Sequence, residues 1–234
     1  GSYQNPEHTE GLAHFLEHML FLGTQRYPLA GEYQTFISEH GGSHNASTSF
    51  EHTNYFFSID ADYLEDALDR FAPFFFEPTF DANYVNRERN AVESEYQLKL
   101  KSDSRRQWDV LREIINPQHP LSKFTVGNNL TLVDGENGLL RDKLIKMYNH
   151  YYSANLMTLV VLGNESIDNL QTMVENQFRP VANNNRVIEP YNVPLVESSR
   201  LPLKASVKPL KELRELSLLF ELPQQDRNWK VKPA

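Results

Sequence analysis

The chain has 234 residues, no cysteine and a formal charge of −8. Without thiols it forms neither disulfides nor thiolate metal sites, so any transition metal must be held by His, Asp or Glu. The acidic balance argues against a nucleic-acid partner, which calls for a basic face, and no run of about 18 apolar residues exists to span a membrane.

In chain order, residues 9–22 predict a helix. Its apolar residues Leu12, Phe15, Leu16, Met19 and Leu20 cover most of its surface, so it should be buried, and Gly23 stands where a C-terminal cap belongs. A second helix is expected at residues 32–40, stopped by Gly41-Gly42. Two strands rich in Ser, Thr, Tyr and Phe follow near residues 43–50 and 54–59. Residues 62–75 read as an amphipathic helix limited by Pro78, and residues 81–101 as a long helix with a charged middle.

Pro117, Pro120 and Gly127-Asn128-Asn129 mark an extended connection. A helix fits residues 139–152, and the continuous apolar run 156–162 predicts a buried strand. Residues 167–178 are helical again, residues 180–202 a polar surface excursion, and residues 203–207 and 216–222 strand-like. Helices interspersed with strands and at least one hairpin give an α+β class, with a mixed or antiparallel sheet and helices packed on it.

His14-Phe15-Leu16-Glu17-His18 is the H-x-x-E-H pattern of an inverzincin. Residues four apart lie one above the other on a helix, so His14 and His18 can converge on one ion. Glu17 stands beside that ion rather than on it, where a general base for a water belongs. A catalytic zinc site takes three protein ligands and a water. The richest source of a third ligand is the cluster from Asn86 to Glu95. Glu88 and Glu95, seven residues apart, share a helix face, whereas Glu93 points away. Two hydrogen-bonded core histidines on an apolar helix are the competing reading. Buried His and Glu are costly without partners, and one metal would supply a partner for all three.

Five blocks carry a resemblance. Gly11 to Thr24, His40 to Thr48, Glu88 to Glu95, Asn116 to Phe124 and Tyr151 to Met157 are similar to segments of the insulin-degrading enzyme and pitrilysin family (M16). The likeness runs from Gly1 to about Leu222.

What the resemblance implies is specific. Its glutamate ligand lies some seventy residues beyond the second histidine, where Glu95 stands. His14, His18 and Glu95 are then the ligands of one Zn2+ per chain, Glu17 the base, and Glu88 a carboxylate supporting a ligand histidine from behind. The strand at Asn45 and Ala46 would offer its edge to a peptide backbone. Phe21 would line an apolar pocket near the scissile bond, although core packing explains it equally well.

The implied fold is the LuxS/MPP-like metallohydrolase type, and residues 1–234 would be an incomplete N-terminal zinc-binding catalytic domain of a multi-domain peptidase. Opening strands would precede Gly1 and further helix would follow Ala234. A C-terminal half of the same enzyme would complete the substrate chamber. The expected activity is zinc-dependent endopeptidase cleavage of peptides or small proteins. The alternative is a non-catalytic peptide-binding or structural subunit on the same fold, and the intact motif favours catalysis.

Overall fold

A computed structural model describes residues 1–135, 138–222 and 230. The chain packs as two compact units, residues 1–99 with 123–190 and residues 100–122 with 191–234.

The first unit is built around α1 (Leu12–Leu20), which is as buried as its apolar surface requires. Leu12, Phe15 and Leu20 are wholly covered, and Leu16 and Met19 nearly so. α1 packs against the hairpin strand β1 (Ser43–Thr48), the long helix α4 (Ala82–Lys99) and α6 (Leu140–Tyr151). α2 (Glu32–Glu39) lies on β1 and on α3 (Leu64–Phe71), and α7 (Ile167–Phe178) lies on α3. An aromatic cluster fills the space between hairpin and helices. Tyr33 meets Phe74 at a ring separation of 5.0 Å, and Phe71 meets Phe57 at 5.2 Å.

β1 and β2 (Thr53–Ser58) pair antiparallel, from Ser43 opposite Ser58 to Thr48 opposite Thr53. The strand period of two sorts their side chains. His44, Ala46, Thr48, Thr53, Tyr55 and Phe57 are covered by the helices to differing degrees, while Asn45, Ser47 and Phe56 are exposed. Ser2 and Tyr3 donate their backbone N–H groups to Ser49 and Phe50 at 2.8 Å, tying the start of the chain to the hairpin turn.

In the second unit α5 (Asp103–Ile114) is held by its first residue. The Asp103 carboxylate accepts from the backbone N–H groups of Leu210 and Lys211 at 2.9 and 3.1 Å. Asn116 fixes the segment after the helix, with its backbone N–H on Leu195 O and its side chain on Pro194 O.

The α+β class holds, with a sheet of two antiparallel strands among the described residues. Three expected strands do not form. Residues 156–162 run from a 3-10 turn into irregular chain, with Val160 and Leu162 83% and 91% exposed. Residues 203–207 and 216–222 are likewise irregular. An apolar run becomes a strand only by pairing its backbone with a neighbour, and among the described residues none of the three has one. The long helix ends at Lys99, and the separate helix α5 was not anticipated.

Candidate metal centre

The helical repeat sets the first part of the site. His14 and His18 stand one turn apart on α1 as its two half-buried residues, their rings 4.8 Å apart and nearly perpendicular. Apolar residues pin the rest of α1 to the core, so this ridge is the part left facing α4. From α4, the Glu95 carboxylate comes between the two rings. Its Oε2 is 3.4 Å from His14 Nε2 and 3.6 Å from His18 Nε2. Three ligand atoms, one each from His14, His18 and Glu95, lie within 4.8 Å of one another.

These separations fit a metal better than a hydrogen-bonded cluster. At 3.6 Å a nitrogen and an oxygen do not share a hydrogen bond. Zinc bonds of about 2.0–2.1 Å in a tetrahedron place neighbouring ligand atoms about 3.3 Å apart. Glu95 meets both histidines near that spacing.

The outer nitrogens are also spoken for. His14 Nδ1 lies 2.7 Å from the carbonyl oxygen of Val126. A carbonyl only accepts, so Nδ1 carries a proton, and in the neutral ring this leaves the Nε2 lone pair facing Glu95 and available to a cation. His18 Nδ1 faces Glu88 Oε2 at 3.6 Å. Glu88 therefore stands behind His18, on the side away from Glu95. Glu93 is engaged elsewhere, accepting from the Asn129 backbone N–H at 2.7 Å and from Gln97.

A glycine contact makes the Val126 bond reachable. Gly11, which precedes α1 with φ +88°, lies so close to Gly127 that a Cβ on it would stand 2.2 Å from Gly127 Cα. That contact is backbone on backbone, so no side chain can swing away to relieve it. We expect Gly11→Ala to destabilise the protein by about 2 kcal/mol or more, from left-handed strain alone at about 1–2 kcal/mol plus the clash. It should also weaken zinc binding by shifting Val126 off His14. A thermal melt and a zinc titration check both, and a variant matching wild type in each would remove this role for Gly11.

The electrostatics favour a cation. Burial would lower the His18 pKa, but the Glu88 and Glu95 carboxylates outweigh it, with Glu17 adding to them, and raise it to about 9. Glu95 is held well below the usual carboxylate range by His14 and then His18, with Lys99 on its other oxygen. Glu88 is lowered chiefly by His18, with Arg87 contributing. Three carboxylates, Glu17, Glu88 and Glu95, thus surround two imidazoles, an excess of negative charge that suits a divalent cation.

Glu17 is buried on α1 and lies outside the ligand group. Its Oε2 accepts a 2.5 Å hydrogen bond from Thr48 Oγ1 on β1, and Thr48 Oγ1 is 3.2 Å from Thr53 Oγ1 on β2. Nearby, the Tyr55 and Tyr152 hydroxyls meet at 2.6 Å. Burial pushes both phenols up, and the Glu17 charge adds to it.

The residues expected at the substrate are spread differently. Asn45 is exposed, its Oδ1 accepting from the Ala46 backbone N–H at 2.9 Å. Ala46 sits half-buried opposite Tyr55. Phe21 packs edge-on against Phe74 at 5.5 Å and touches Tyr33, His44 and Tyr55. It is thus a partly buried residue packed against the core. Sequence reasoning missed Thr48, Val126 and the Tyr55–Tyr152 pair.

Residues 1–123 match the family described as Insulinase (Peptidase family M16), and residues 139–233 match Peptidase M16 inactive domain. The chain belongs to the M16 family. It is 42% identical over 237 residues to the insulin-degrading enzyme of Homo sapiens and 40% identical over 236 residues to the A-factor-processing enzyme of Saccharomyces cerevisiae. Each alignment takes in the whole chain and 23% of the relative, so the chain spans about a quarter of these proteins' length. The crystal structure of pitrilysin superposes with a TM-score of 0.82 at 39% identity, over 86% of this chain and 21% of that one.

Proposed function

We propose that this chain carries the zinc centre of an endopeptidase acting on peptides, as part of a longer protein. The observation that carries the reading is the placement of Glu95 Oε2, 3.4 and 3.6 Å from two imidazole nitrogens whose rings are oriented from behind by Val126 and Glu88. His14, His18 and Glu95 hold one Zn2+. When bound, zinc supplies a Lewis acid that polarises the scissile carbonyl and brings a water toward a pKa of about 7.

The chain's own residues do the rest. Glu17 takes the proton of the attacking water on its carboxylate and passes it to the leaving amine. β1 binds the peptide by its edge at Asn45 and Ala46, adding the substrate as a further strand. Phe21 contributes an apolar wall. The remaining substrate contacts belong to the rest of the protein, including a C-terminal half. M16 membership and the presence of all four motif residues support catalysis over a non-catalytic peptide-binding subunit.

Zinc titration with metal analysis tests the reading, on this chain and on the full-length protein side by side. We expect one zinc per chain and a fall in melting temperature when a chelator removes it, since a ligand of the folded state stabilises by mass action. Sub-stoichiometric zinc in both samples, with no thermal response to chelation, would exclude a zinc centre.

A further inference from the structure

The proposed base is held by a second element of the fold, and the hydrogen bonds fix which way. An ionised carboxylate only accepts, so the short contact between Thr48 and Glu17 places the Thr48 proton on Glu17 Oε2. A hydroxyl has one proton to give. The 3.2 Å contact between the two threonines must therefore have Thr53 as donor and Thr48 as acceptor. The result is a directed chain from Thr53 through Thr48 to Glu17. Both threonines are β-branched, with few χ1 states to lose, and they face each other across the last pair of the hairpin register. Among the described residues Glu17 Oε1 has no hydrogen-bond partner, so one oxygen is anchored and the other is left for proton transfer.

We propose that Thr48, backed by Thr53, is a positioning residue for Glu17. It fixes the rotation of the carboxylate so that Oε1 points to the reacting water, and it couples the base to the strand that binds the peptide. The inference rests on Glu17 being the base. A simpler role, satisfying a buried charge for stability, makes a different prediction.

The test uses the full-length protein with T48V, T48S, T53V, T53S and E17Q variants, each measured for kcat, KM, zinc content and melting temperature. In T48V, which keeps the shape and removes the hydroxyl, kcat should fall about 10- to 100-fold, the scale of a misplaced catalytic group. KM and zinc content should be unchanged. T48S should restore most of the lost kcat. T53V should lose less than T48V and be rescued by T53S, and this pair carries the test if T48V does not fold.

A T48V protein with wild-type kcat and a lowered melting temperature would overturn the proposal in favour of the stability role. So would T48S losing as much as T48V, or a rise in KM at constant kcat, which would make Thr48 a substrate contact. E17Q separates the two levels. Near-normal turnover in E17Q removes the base assignment itself, whereas an inactive E17Q beside a fully active T48V removes only the role of Thr48.

Discussion

Glu17→Gln is expected to cut peptide hydrolysis by the full-length protein about 100- to 10,000-fold while leaving zinc bound, since losing a general base typically costs that much. The substitution is nearly isosteric. The oxygen of the new amide can still accept from Thr48, so the local packing of α1 is preserved. What disappears is the capacity to take a proton. Glu17 adjoins His18 in sequence but lies outside the ligand group, so metal content should not follow activity down. Turnover of a fluorogenic peptide and elemental analysis of the same sample check both halves. Loss of zinc would make Glu17 a ligand, and near-normal turnover would leave the reaction without its base.

The second large effect separates two carboxylates on one helix. Glu95 faces the inner nitrogens of both histidines, and Glu88 faces only the outer nitrogen of His18. Glu95→Gln would replace the proposed anionic ligand by a neutral amide, and most of the zinc should be lost on dialysis. Glu88→Gln removes a partner one bond further out and should weaken binding about 10- to 100-fold. Zinc affinity from competition with a chromogenic chelator ranks the two. Equal losses, or a larger loss at Glu88, would reverse the assignment.

The difference between these two glutamates shows what a sequence can carry. Their shared face followed from a spacing of seven, and the convergence of His14 and His18 from a spacing of four, because both are properties of single helices. Which carboxylate reaches the inner nitrogens is a matter of how α1 and α4 cross. Helical periodicity does not encode that, and the family resemblance was needed to choose Glu95. Thr48 and Val126 were out of reach for the same reason. Each meets α1 across a long stretch of chain, 31 residues in one case and 112 in the other.

The apolar run at 156–162 shows the opposite error. Its composition suits a strand, but a strand exists only with a partner, and partner choice is non-local. Helix α5 went unnoticed because its apolar stripe of Trp108, Val110, Leu111 and Ile114 is short and sits in a polar, arginine-rich sequence. The structure holds it instead through Asp103 and the distant residues Leu210 and Lys211.

With His14 on one helix and Glu95 on another, an ion shared between them as proposed would tie two points of the chain about 80 residues apart. Such a tie acts as a removable cross-link. By the loop-closure relation for a crosslinked chain, a loop of that length would withdraw about 4.5 kcal/mol of conformational freedom from the unfolded ensemble. That is comparable to the whole stability margin of many single domains. Emptying such a centre would therefore do more than silence the proposed reaction. It would unlatch α4 from α1, let the hairpin and its neighbours open more often, and make the availability of the metal a control on how long the polypeptide survives among proteases.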